Sequence, residues 1–139
     1  MSDILRQLLI KEEGWRNKAY ADSLGVLTVG VGRNLVSKGL SDQEIDLLLT
    51  NDMREAEAQA AFLPGYPALN EVQKAVICSM VFQLGIAGLK GFKSMLASLA
   101  AGDVKGAAAH GLDSLWAKQV PIRAKRQMDM LASGEWIEK

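Results

Sequence analysis

The sequence predicts an α+β fold: mostly helical, with a small N-terminal β-hairpin lobe, a larger helical lobe and a cleft between them. Three observations predict it. Helical periodicity and capping signals recur along most of the 139 residues. Only one stretch, Tyr20 to Leu35, carries strand chemistry. One proline- and glycine-bearing stretch, Leu63-Pro64-Gly65-Tyr66-Pro67, marks a break between two helical parts.

The elements follow in order. Ile4, Leu5, Leu8 and Leu9 make an apolar stripe at helical spacing, so a first helix runs from about Asp3 to Glu13, with Gly14 as its terminator. The segment from Tyr20 to Leu35 is rich in β-branched residues and glycine, and Asp22 to Gly25 has four-residue turn chemistry. It reads as a small antiparallel hairpin or short sheet. Ser41 with Glu44 is a capping box, opening a helix to about Phe62 with Ile45, Leu48, Leu49, Met53 and Ala56 on one face. Asn70 caps a helix through about Gln83 that is apolar nearly all round and is expected to be the buried central helix, ended by Gly85. Shorter helices are expected at about 92–101, 103–111 and 113–118. Pro121 opens the last helix, about 121–133, and Gly134 closes it. The whole chain, 1–139, reads as one domain: a β lobe at about 14–40, a connecting helix at about 42–62 and a helical lobe at about 63–139.

Composition narrows the function. Sixteen basic and sixteen acidic residues cancel, which argues against nucleic acid as the partner. The opening residues lack the pattern of a secretory signal, and no uninterrupted apolar run approaches membrane-spanning length. The expectation is a chain made in the cytoplasm with no stable membrane association. The single cysteine, Cys78, lies in an apolar run and reads as a small core residue. No His, Cys and Asp cluster has metal-ligand spacing, and Gly30-x-Gly32 lacks the pattern of a nucleotide loop. No cofactor or metal is implied, and nothing demands more than a monomer.

Two carboxylates on different rigid elements could carry chemistry. Glu13 ends the first helix, where the partial negative charge of the helix terminus disfavours an ionised carboxyl and partial burial would act the same way. A carboxyl that keeps its proton is what a general acid requires. Asp22 sits at a wetter turn and Thr28 on the returning strand, where its hydroxyl could hold a water. Each residue alone has an ordinary explanation: a surface helix end, a turn aspartate, a strand threonine. Periodicity alone does not choose between Glu12 and Glu13.

The segment Glu13-Gly14, Tyr20-x-Asp22, Gly25 and Thr28-Val-Gly30-Val-Gly32 resembles the catalytic signature of the phage-type lysozymes, the endolysin family of the T-even coliphages. The resemblance continues in Met80-Val-Phe82-Gln83-Leu-Gly85, in Gly91-Phe92, in Ser114-Leu-Trp116-Ala-Lys-Gln119-Val-Pro121-x-Arg123-Ala124-x-Arg126, and in Ser133-Gly-Glu-Trp136. It implies a muramidase that cuts the β-1,4 bond between N-acetylmuramic acid and N-acetylglucosamine in bacterial peptidoglycan, with inversion. Glu13 is then the general acid, Asp22 the carboxylate that orients or activates water, and Thr28 its helper. Arg123 falls where the family places an arginine near the catalytic glutamate, and Asn34, Phe82, Met95 and His110 fall where it contacts sugar. The resemblance also implies release from the host cytoplasm to the wall with the help of a holin.

The chain departs from the family in places. Met95 and His110 replace polar residues, with Ser94 as a neighbouring substitute, and Arg33 replaces a histidine. The stretch from Leu35 to Ser41 is short, and zero net charge is unlike the strongly basic members. That charge implies weaker, differently salt-dependent wall binding. A lytic transglycosylase would need the acid but not Asp22 and Thr28. A non-catalytic wall-binding or virion module would be expected to lose one of the three.

Overall fold

The computed structural model describes residues 3–138 and divides the chain into two compact units, Met1–Leu48 and Leu49–Lys139. Helix α1 (Asp3–Glu13) opens the first unit, followed by β1 (Arg16–Ala21), β2 (Leu27–Gly30) and β3 (Arg33–Asn34). The strands form one antiparallel sheet in the order β1-β2-β3, with Tyr20 opposite Thr28 and Thr28 opposite Asn34. The expected hairpin is therefore a three-stranded sheet whose first strand begins four residues earlier. The early part of β1, Arg16 to Ala19, is polar and exposed and carries no burial pattern that would reveal it.

Helix α2 (Asp42–Ala60) starts at the expected capping box, with the Ser41 N–H donating to Glu44 Oε1 at 2.8 Å and the Glu44 N–H to Ser41 Oγ at 3.2 Å. The apolar stripes of both helices stay largely exposed: α1 buries none of its residues, and α2 buries only Ala56 and Ala60. Twelve residues of sheet offer too little apolar surface to cover such stripes.

The second unit holds the core. After a 3-10 turn (Tyr66–Ala68), α3 (Glu71–Lys90) opens on a complete Asn70–Gln73 capping box. Gly85 interrupts it with φ 74 and ψ 159, as expected for the end of the helix, but a second helical stretch follows directly and runs to Lys90. Gly85 is thus a joint rather than a terminator, a difference that depends on what lies beyond it and not on the glycine itself. By length and composition α3 could cross a membrane, yet Val76, Ile77, Met80 and Val81 are built into the core. Helices α4 (Lys93–Ala100), α5 (Val104–Leu112), α6 (Leu115–Gln119) and α7 (Pro121–Ser133) fall within two residues of their expected positions. Side-chain caps from Asp103 and Ser114 start α5 and α6, while Pro121 starts α7 and Gly134 ends it. Ile77, Met80, Leu89, Met95, Met128 and Leu131 are the large side chains at the centre.

Candidate active site

The residues expected to carry chemistry, Glu13, Asp22 and Thr28, all lie in the first unit. Glu13 is the last residue of α1. Gly14 follows in the left-handed region, its N–H bonded to the Ile10 carbonyl at 2.9 Å, so the chain turns sharply after the carboxyl. The side chain lies over the β2–β3 turn. A Cβ added at Gly32 would stand 2.7 Å from Glu13 Oε2 and 3.1 Å from its Cβ and Cδ. Only a residue without a side chain lets the carboxyl rest there. The expected partial burial of Glu13 is not found; the residue is exposed.

Asp22 and Thr28 are tied to a single residue. Asp22 Oδ1 accepts the N–H of Val26 at 2.8 Å and that of Leu24 at 2.8 Å. The Thr28 hydroxyl donates to the Val26 carbonyl at 2.8 Å. The two side chains thus grip the N–H and the C=O of Val26, which locks the turn that Asp22 begins. Both turn bonds to the carboxylate fall on Oδ1, so the fold does not depend on Oδ2. Thr28 is only 3% exposed, and its hydroxyl proton is committed to Val26. What its oxygen can still do is accept a hydrogen bond.

Arg33 and Asn34 follow on β3. Asn34 Oδ1 accepts from the N–H groups of Val36 and Ser37, both at 2.9 Å, which shapes the short loop. Arg33 makes a two-pronged pair with Glu44, Nη1 to Oε1 at 2.7 Å and Nη2 to Oε2 at 2.6 Å, and also donates to the Gly39 carbonyl. The bond from Arg33, with the Ser41 N–H adding to it, holds the Glu44 carboxyl down at about 2. The arginine that departs from the family pattern therefore joins the sheet to the start of α2.

Arg123, Phe82, Met95 and His110 lie in the second unit. Phe82 is 55% exposed and lines an apolar groove of about 710 Å³ with Leu49, Met53, Tyr66, Cys78 and Ser79. Cys78 is half-buried there rather than fully in the core, with its sulfur 3.2 Å from the Tyr66 hydroxyl; burial pushes both groups up, so the thiol is not activated. Met95 is a core residue, 1% exposed, at the back of a second cavity of about 490 Å³. A side chain that buried has little surface to give a sugar. His110 is exposed on the rim of that cavity, near Ser94 and Trp116. Trp116 is fixed by an edge-on contact with Phe92 and by its indole N–H donating to Gln83 Oε1 at 3.0 Å. The Gln83–Trp116 bond joins residues 33 apart and leaves no local signal in the sequence.

A family model described as phage lysozyme matches residues 10–132, nearly the whole of both units. The chain belongs to the phage lysozyme family. Lysozymes as a class are glycoside hydrolases. The chain's α+β architecture agrees with that membership. Relatives include the pre-baseplate central spike protein Gp5 of Enterobacteria phage T4, 26% identical over 94% of this chain and 28% of the relative. They also include the endolysin of Salmonella phage P22, 35% identical over 60% of this chain and 62% of the relative. A probable T4-type lysozyme 1 of Dictyostelium discoideum is 24% identical over 96% of both chains. The chain thus spans less than two thirds of the length of the first two.

Proposed function

We propose that this chain is an endolysin that hydrolyses the β-1,4 bond between N-acetylmuramic acid and N-acetylglucosamine in bacterial peptidoglycan. Glu13 protonates the leaving sugar oxygen. A water attacks the anomeric carbon from the opposite face and gives its proton to Asp22, so the configuration inverts. Thr28 assists as an acceptor: its own proton is held by Val26, so the water must point a hydrogen at Oγ1. That constraint helps to aim the oxygen lone pair at the sugar.

The observation that carries this reading is the shared grip on Val26. Asp22 and Thr28 are set by one peptide residue, one carboxylate oxygen stays outside the turn bonds, and Glu13 is seated at Gly32 in the turn that follows β2. A lytic transglycosylase would have no use for a water-orienting pair. Between an endolysin and a spike protein, lysis is the reading favoured, because the higher identity, 35%, is to the endolysin.

Turbidity clearing of outer-membrane-permeabilised cells tests the assignment. Glu13→Gln should abolish clearing and Glu12→Gln should not. Full activity in Glu13→Gln would move the acid elsewhere, first to Glu12.

A further inference from the structure

Residues that stand directly opposite each other in an antiparallel sheet present their side chains on the same face. Tyr20 on β1 is opposite Thr28 on β2, and Thr28 is opposite Asn34 on β3, so the three form one row across the sheet. Thr28 has a place in the proposed reaction; Tyr20, at the edge of the row, has none. Tyr20 is half-buried, and the guanidinium of the exposed Arg16 lies over its ring, 4.7 Å from the centroid. Both residues, like Asp22 and Thr28, belong to the first unit.

The strand is bent where it makes this contact. In a regular strand, about 3.3 Å per residue would hold the two Cα atoms about 13 Å apart. Here β1 takes four steps from Arg16 to Tyr20 while β2 takes two from Gly30 to Thr28, so two residues bulge out of β1. A bulge bends the strand and re-aims its side chains. It also interrupts ladder hydrogen bonds, each worth about 1 kcal/mol, while an exposed cation–π contact contributes only about 0.5–1 kcal/mol. Stability alone does not account for the arrangement. What the stack does supply is a guanidinium held in one orientation. Stacking engages its flat face and leaves its five N–H donors, which lie in the plane. The chain carries no formal net charge, so recognition of an anion falls to a local cation rather than to the overall field.

We propose that Arg16, aimed by Tyr20, binds a carboxylate of the peptide stem carried by muramic acid, at the β1 end of the row that holds Thr28. This rests on the muramidase reading above. Tyr20 stands one strand spacing, about 4.8 Å, from Thr28, within reach of a branch leaving a glycan bound there. A planar guanidinium meets a carboxylate with two parallel bonds, and a fork already held over a ring loses little freedom in doing so.

The test is calorimetric binding of soluble glycan strands to the full chain carrying Glu13→Gln, which keeps the strands intact. The strands are used with native stems, with the stem carboxylates converted to amides, and with the stems removed by an amidase, which leaves only the lactyl carboxylate. Arg16→Gln and Tyr20→Leu should each raise Kd for native strands about tenfold, the size of one charge-assisted hydrogen bond. Tyr20→Phe, which keeps the ring, should restore the affinity. In an Arg16→Gln background, Tyr20→Leu should add nothing. On amidated or stem-free strands neither substitution should matter. An unchanged Kd in Arg16→Gln would overturn the proposal. So would the same loss on every preparation, which would leave Arg16 a merely structural role. Release of reducing ends by the wild type is measured alongside. If none is released, the muramidase reading fails, while the contrast between native and amidated strands still decides whether Arg16 reads a carboxylate.

Discussion

Replacing Gly32 with alanine separates two effects that usually arrive together. At φ +66 any side chain strains the backbone, by about 1 kcal/mol for a non-glycine residue in the left-handed region. The new methyl would also stand 2.7 Å from Glu13 Oε2 and 3.1 Å from Glu13 Cβ, so the carboxyl must leave its seat. Gly30 is the natural control. Its φ is +68, nearly the same, yet a Cβ there meets nothing within 4 Å. Both variants should therefore lose about 1 kcal/mol of stability from backbone strain. Only Gly32→Ala should lose activity beyond that, by roughly a hundredfold, the usual penalty when a catalytic group shifts by about 1 Å. Denaturant melts give the first quantity, and reducing-end release from purified walls gives the second. Equal activity losses in the two variants would refute the idea that Gly32 seats the acid.

Two other perturbations test parts of the framework. The Arg33–Glu44 pair holds Glu44 at about 2 in the folded protein, against an ordinary 4.5. A depressed carboxylate adds stability that is complete above about 4.5 and is lost as pH falls toward about 2, so wild type should outlast Glu44→Gln at pH 6 and converge with it near pH 2. An advantage that persists at the acid end would contradict this. Gly65→Ala should be more damaging than Gly30→Ala by about 1–3 kcal/mol, because its Cβ would strike the Leu99 carbonyl as well as strain a φ of +86; equal melting midpoints would refute it.

Much of the fold was legible in the sequence because its signals are local. Asn70, the Ser41–Glu44 pair, Pro121 and Gly134 each mark a helix end by chemistry local to that end, and the structure follows them. Where a feature depends on distant residues, the reading failed. The start of β1 is set by Arg16 pairing with Gly30 across an irregular stretch, a long-range contact rather than a local propensity, and Gly85 is a joint because helix resumes beyond it. Met95 occupies the position of a sugar-facing residue but is drawn into the core beside Gly111 and Met128. At the candidate site, Asp22 was legible as a turn residue and Thr28 as a strand residue. Their common hold on Val26 was not, since it appears only once the strands pair. Arg123 was legible through the family motif, but its bond to Ser79 and that of Gln127 span 44 and 48 residues and leave no local signal.

The proposed chemistry is tested most directly by the configuration of the newly released sugar. Proton NMR during the first minutes of digestion of soluble glycan strands should show the α-anomer of the reducing end forming first, then mutarotating, as a water placed by Asp22 and Thr28 requires. First appearance of the β-anomer, or of 1,6-anhydromuramyl ends with no reducing sugar, would contradict it.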